Sequence, residues 1–497
     1  MNDNNQIGKR AVRGIAWVTA DNVIHLLAGF VVLAILARML SPSDFGVVGA
    51  AMVVLGISQI LGQIGVGPAL VQLKDITPRF IATGFWMSIA MGLVLGLVVF
   101  LLSQPLALLM RMPQLEDVLK LLAWIFPLSS FGLVATALLQ RELKFFEMSL
   151  AHITSYLMGY ALVGVVLASL GWGVWSLVWA QISQVLLYSS MMLWISRQHI
   201  RLNFGIEEAK ILLNFGFGHS LGKLANFSAT NVDNIVVGRW LGADALGIYG
   251  RVYQFMVVPA NMLGNVVDKV LFPTMASVQD DRNKLSNMYL GLTGVVTLLA
   301  APISAILFTY AHEIVDILLG NKWGAVVAPM QIFSLVLIFR AGYKFSDSLA
   351  RATGAVYRRA WRQALYALAV LCGALIGQSW GLVGVAVGVS LAIILNYYAM
   401  LQLSLSLLQI TFMQFVKSQF PYMALFVLMY IFAYWTRNIM LSWHLSAAPI
   451  LLLGLLFEGL FLSLVVYFYR KHFPAEVLWL WGKVTNVVFK KIKGPHK

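Results

Sequence analysis

The sequence predicts an all-α polytopic membrane protein with about 14 transmembrane helices. Of its 497 residues, 60% are hydrophobic and only 11% are charged, whereas soluble domains carry about 25% charged residues. Mean hydropathy is +0.82. Apolar stretches of roughly 20 residues, enough to cross a hydrocarbon core of about 30 Å, recur along most of the chain.

Taken in order, the expected spans are 14–37, 45–70, 80–103, 116–139, 147–169, 174–195, 212–238, 245–273, 287–310, 325–349, 357–378, 382–408, 419–436 and 445–469. The tightest divisions fall at "GWG" (171–173) and "QSWG" (378–381). Merging across either would make a helix far longer than the bilayer is thick. The first 13 residues are polar and basic, and the apolar tract behind them exceeds a signal-peptide core, so it reads as an uncleaved first helix. Residues 471–497 place Val477, Leu480, Val484, Val487 and Val488 among lysines, the pattern of a basic amphipathic segment on the cytoplasmic leaflet.

An even number of helices puts both termini on one side. Of the 35 Lys and Arg residues, 25 fall at the loops and helix ends of that side and seven on the other. The remaining three, Lys223, Arg340 and Lys344, lie within spans. Both termini are therefore expected in the cytoplasm. The net charge of +15 is accounted for by this bias, and no nucleic-acid partner is implied.

Several chemistries are disfavoured. Cys372 is the single cysteine, so no intrachain disulfide or thiolate cluster can form, and the eight His show no metal-ligand spacing. No P-loop occurs, and "GFGHSLG" (216–222) lacks the preceding strand that a dinucleotide loop requires. No paired acids or activated nucleophile lie outside the bilayer, so the expectation is a transporter rather than an enzyme, without a cofactor and driven by an H+ or Na+ gradient.

An internal copy is visible. "ARMLSPSDFGVVG" (37–49) and "GRWLGADALGIYG" (238–250) align with a shift of 201, matching Arg38 with Arg239, Leu40 with Leu241, Gly46 with Gly247 and Gly49 with Gly250. The copies occupy equivalent places six helices apart, which predicts two parallel six-helix repeats. The expected organisation is an N-terminal lobe at 1–200, a second lobe at 201–410, two additional helices at 411–470 and the tail. In the second copy Gly242 breaks the helix, and Gly247 and Gly250, like Gly46 and Gly49, are expected to permit close helix contact.

Polar residues within spans form stripes. The seventh span carries His219, Lys223, Asn226, Thr230 and Asp233 on one face; the eighth carries Gln254, Asn261, Asn265 and Asp268, with Pro259 expected to kink it; the tenth carries Arg340, Lys344, Asp347 and Arg351; and in the first, Asp21 and His25 are one turn apart. An ionisable group inside a membrane normally faces a partner or a cavity. Interhelical hydrogen bonding explains such stripes equally well, as does snorkelling for the charges toward the end of the tenth span. Lys223 and His25 each lie about 17 Å along their helix from its start, near the midplane. Lys223, Arg340, Lys344 and His25 are candidates for binding an anionic headgroup in a central cavity; Asn226, Thr230, Gln254, Asn261 and Asn265 are candidates for its polar lining. Asp21, Asp233, Asp268 and Asp347 are candidates for ion coupling. Glu458 reads as a buried, hydrogen-bonded carboxyl or as peripheral.

The segments "LARMLSPSDFGVVGAAM" (36–52), "NVDNIVVGRWLGADALGIYGRVYQ" (231–254) and "VLFPTMASVQDD" (270–281) resemble the polysaccharide-exporter branch of the superfamily containing Wzx flippases, peptidoglycan-precursor flippases and multidrug and toxin extruders. Colanic-acid-type exporters match best, over at least residues 10–410. The resemblance implies a multidrug-extruder-like fold of twelve helices plus two. It also implies translocation of an undecaprenyl-diphosphate-linked oligosaccharide across a bacterial inner membrane, with a polysaccharide polymerase and a chain-length regulator as possible partners. The arginines of the first two helices in peptidoglycan-precursor flippases have no obvious counterpart here, which leaves the headgroup site open. A multidrug cation antiporter of the same fold is the alternative, though it would favour acidic midplane residues. A membrane glycan polymerase or ligase is disfavoured by the short outer loops.

Overall fold

In hydrocarbon every backbone N–H and C=O needs a partner within the protein, which admits helices and closed barrels alone. The computed structural model describes residues 2–62, 66–73, 76–196, 203–212, 231–266 and 272–469, and among them the chain is helical, with no strand. In chain order the first helices are α1 (Asn2–Met39), α2 (Pro42–Gly62), α3 (Val66–Gln72), α4 (Pro78–Met110), α5 (Gln114–Leu122), α6 (Ile125–Arg141) and α7 (Phe145–Thr154). A π-helical turn (Ser155–Leu162) joins α7 to α8 (Val163–Ser169), and α9 (Val174–Ser196) follows. A second π-helical turn (Val237–Leu241) leads into α10 (Gly242–Val266), then α11 (Phe272–Ser277), α12 (Arg282–Thr309), α13 (Ala311–Leu318), α14 (Val327–Ala352), α15 (Val356–Gly377), α16 (Gly381–Leu408), α17 (Phe412–Ser442) and α18 (Ala447–Tyr469).

Eleven helical stretches among the described residues are long and apolar enough to cross a membrane. One of them, 356–408, contains both α15 and α16. The breaks expected at 171–173 and 378–381 are present: Gly171, Gly173 and Gly381 adopt φ of 79°, 55° and 68°, left-handed values open mainly to glycine. Most of the seventh expected span, with Lys223, Asn226 and Thr230, lies outside the described residues, as do Asp268 and the tail. The eighth expected span appears as α10, and the helix runs through Pro259. The fourth consists of α5 and α6 in series. The protein is a multi-pass membrane protein.

The chain forms two compact units, residues 1–250 with 318–322, and residues 251–317 with 323–497. Within the first, α4 shows the inside-out pattern that lipid imposes. Ser88, Gly92, Gly96 and Ser103 are buried, while Leu93, Leu97, Leu101 and Leu108 are exposed. Small residues let helices approach, and large apolar ones meet the acyl chains.

The two copies of the repeat meet within the first unit. A methyl group on Gly46 would overlap the carbonyl oxygen of Ala243, and one on Gly247 would overlap that of Pro42. Because 42 and 243, like 46 and 247, differ by 201, the contact is reciprocal between equivalent positions. The expectation for the second glycine of each copy is corrected. Among the described residues nothing lies close beside Gly250, and a methyl on Gly49 would make only an ordinary contact with Leu246. Close approach is therefore confined to the first glycine of each pair. Gly242 turns the chain at φ 88°.

In the second unit α12, α17 and α18 pack through Leu298, Ala301, Ala305, Tyr422, Leu425 and Met429. Glu458 of α18 is 1% exposed, and neither carboxylate oxygen has a hydrogen-bond partner among the described residues. The expected hydrogen bond is absent there. Tyr310, close enough to interact electrostatically with this carboxyl, directs its hydroxyl to Thr436 at 3.2 Å.

Overlap with backbone atoms cannot be relieved by a rotamer change. Gly247→Ala is expected to cost about 3 kcal/mol and Gly250→Ala almost nothing. Thermal unfolding of the purified variants checks this, and equal midpoints for the two would contradict the reciprocal contact.

Candidate functional site

In the first unit the polar groups of α1 are met by α7. Asp21 and His25 share a face of α1, one turn apart. His152 donates its Nδ1–H to Asp21, at 3.0 Å to Oδ1 and 3.2 Å to Oδ2. Its ring stacks on His25 with centroids 4.7 Å apart and an interplanar angle of 25°. Tyr156, in the π-helical turn, meets the other side of His25 edge-on at 4.3 Å, and Tyr188 of α9 stands perpendicular to His152 at 6.1 Å. His25 Nδ1 is buried with no hydrogen-bond partner among the described residues. The sequence singled out Asp21 and His25 but missed His152. Its signal was present, because His152, Ser155 and Tyr156 fall on one helical face inside a membrane span.

Asp233 is 1% exposed. Its carboxylate accepts from the Tyr249 hydroxyl at 2.7 Å and from the Asn234 backbone N–H at 2.9 Å. Tyr249 belongs to the second repeat copy and is itself fully buried. This bond ties the residues before the π-helical turn to the start of α10, which accounts for an acid in that apolar tract. Lys223, Asn226 and Thr230 of the same stripe lie outside the described residues.

In the second unit α14 carries Arg340, Lys344, Asp347 and Arg351 along one side. Arg340 is 9% exposed. It donates to the hydroxyl oxygens of Tyr366 at 2.5 Å and Tyr253 at 3.2 Å. Its guanidinium also lies 5.7 Å and 5.8 Å from the ring centres of Tyr343 and Tyr366. Arg340 has no carboxylate within ion-pairing distance among the described residues. A cation surrounded by tyrosine rings keeps unspent donors and an uncompensated positive charge, an environment suited to an anionic group.

One turn along, Lys344 donates to Asn261 Oδ1 at 2.9 Å, and its side chain lies over Gly264 of α10, where any β-carbon would displace it. Lys344 and Asn261, chosen from separate stripes, are thus brought together. Gln254 instead accepts from Arg251 at 3.0 Å. Asp347 pairs with Arg351 at 3.2 Å and also with Arg359. The Asn265 side chain and Asp268 lie outside the described residues. Tyr343 follows Arg340 by three positions on α14, but Tyr253 and Tyr366 were not foreseen, since nothing local in the sequence links them to it.

A solved structure of the lipid II flippase MurJ, in an inward closed conformation, superposes with a TM-score of 0.70 at 15% identity, covering 93% of this chain and 99% of that one. That likeness establishes the fold. Among curated proteins, the lipopolysaccharide biosynthesis protein WzxC of Escherichia coli (strain K12) is 27% identical over 408 residues, 79% of this chain and 81% of the relative. The succinoglycan biosynthesis transport protein ExoT of Rhizobium meliloti (strain 1021) is 30% identical over 315 residues, 63% of this chain and 64% of the relative. Residues 35–328, more than half of the chain, match the family model described as polysaccharide biosynthesis protein, and the chain belongs to that family.

Proposed function

We propose that this protein is a flippase. It moves an undecaprenyl-diphosphate-linked oligosaccharide from the cytoplasmic to the outer leaflet of a bacterial inner membrane, with both of its own termini in the cytoplasm. The observation that carries the reading is Arg340, a buried cation without a carboxylate partner among the described residues, one helical turn from Lys344. It sits in a chain of the polysaccharide biosynthesis family, whose relatives include a protein named for succinoglycan transport.

A diphosphate presents several strong acceptors and negative charge. Guanidinium and ammonium donors bind such a group best where water is scarce. In this reading Arg340 and Lys344 receive the diphosphate, and the polyprenyl chain stays in lipid. Residues 1–200 and 201–410 act as the halves whose alternating access exposes the headgroup to one face and then the other. Asp21 with His152 serves as the proton-coupling pair, because a carboxylate hydrogen-bonded to an imidazole can take up and release a proton without breaking helix packing. Asp347, engaged by two arginines, and Asp233, tethered to Tyr249, are better suited to holding helices together. The delivered unit would pass to a polymerase under a chain-length regulator.

The test is headgroup sidedness of lipid-linked oligosaccharide in inverted membrane vesicles. Native protein is expected to carry headgroups away from the cytoplasmic face. Lys344→Ala and Arg340→Ala, at normal protein levels, are expected to slow this by about tenfold or more, the consequence of losing one charge-assisted contact. Asp21→Asn is expected to make the rate insensitive to a proton gradient. Native rates in both cation variants would refute the diphosphate site, and a retained gradient dependence in Asp21→Asn would refute the coupling role.

A further inference from the structure

The first unit holds a cavity of about 600 Å³ among α2, α3, α6, α7 and α9. Among the described residues its wall mixes apolar and uncharged polar side chains and includes no Asp, Glu, Lys or Arg. Five glutamines line it: Gln59, Gln72, Gln140, Gln181 and Gln184. Among the described residues, none of these five side chains hydrogen-bonds another protein group. Gln59, Gln72 and Gln140 are exposed and Gln181 and Gln184 half-buried, so five amides from four helices are accessible from one space and have donors and acceptors to offer what enters it.

Their chemistry narrows the occupant. A glutamine amide offers two N–H donors and an accepting oxygen, which complements a hydroxyl, a group that both donates and accepts. The lack of formal charge among them provides no counter-ion for an anion or a cation. Tyr188 and His152 also border the cavity, and aromatic side chains are suited to packing on the C–H surface of a sugar ring. The volume falls within the range of about 300–1,000 Å³ typical of small-molecule sites. Local geometry keeps the wall in place: Gly159, in the π-helical turn, lets that turn lie directly on the α9 backbone at Gln184, and π-helical turns concentrate at functional sites.

We propose that this cavity of the first unit is a subsite for neutral, polyhydroxylated sugar residues of the transported headgroup, built from side chains other than Arg340 and Lys344. The proposal rests on the lipid-linked oligosaccharide reading above.

Binding by the purified full-length protein in bilayer nanodiscs tests it with two probes, undecaprenyl diphosphate and the same lipid bearing a neutral dihexose. Native protein is expected to bind both, the glycosylated lipid more tightly. Gln181→Leu with Gln184→Leu should weaken the glycosylated lipid by roughly tenfold, the effect of two lost neutral hydrogen bonds, and leave the bare lipid unchanged. If that pair does not fold, Gln59→Leu with Gln140→Leu, on other helices, reads out the same quantity. A native protein that gains nothing from the sugar, or glutamine variants that keep the whole gain, would overturn the subsite and leave the diphosphate reading standing. Failure of native protein to bind either lipid would overturn both.

Discussion

Hydrocarbon accepts no hydrogen bonds, and the internal order of this protein follows from that constraint. Each ionisable group buried in a span must find a partner or face a space that supplies one. Asp21 finds His152, Asp233 finds Tyr249, Arg340 finds the hydroxyls of Tyr253 and Tyr366, and Asp347 finds two arginines. Apart from the Asp347–Arg351 pair within α14, each bond joins different helices or distant parts of the chain, so these polar residues act as cross-links between elements that have little hydrophobic reason to associate in lipid. Glu458 stands apart, buried with both oxygens unpartnered among the described residues. We have no physical account of its retention.

Close packing supplies the other half of the order. The reciprocal contact of Gly46 and Gly247 with the carbonyls of Ala243 and Pro42 brings equivalent parts of the two repeat copies together without side chains between them. Of the matched glycines only Gly46 and Gly247 are used this way. The same economy appears at Gly159 against α9. Glycine here is a means of bringing backbones into contact, and cavity walls or cross-links are then built from the longer residues beside it.

What could be read in advance was what depends on neighbours in sequence. Hydropathy is a property of a window, so most spans on the described residues and the glycine breaks at 171–173 and 378–381 emerged where expected, whereas α10, at the place of the eighth span, is helical but is not among the stretches long and apolar enough to cross a membrane. The repeat was legible because its copies share spacing. The stripes on α14 and α10 were legible from helical period, and a hydrogen bond joins Lys344 of the first to Asn261 of the second. Partners across helices were not legible. The Asp21–His152 bond spans 131 positions, and the tyrosines around Arg340 come from α10, α14 and α15. The five glutamines are scattered between 59 and 184; each looks like an isolated polar residue until tertiary packing gathers them. The hydrogen bond expected for Glu458 failed for the same reason, since burial follows from hydropathy but partnership does not.

Translocation of an anionic lipid-linked glycan is the central functional claim, and native mass spectrometry of the protein extracted from cells blocked in polysaccharide polymerisation tests it most directly. The account predicts a bound species with the mass of a polyprenyl diphosphate plus one oligosaccharide unit, depleted in Arg340→Ala protein. Bound phospholipid alone, or preferential retention of organic cations, would contradict it.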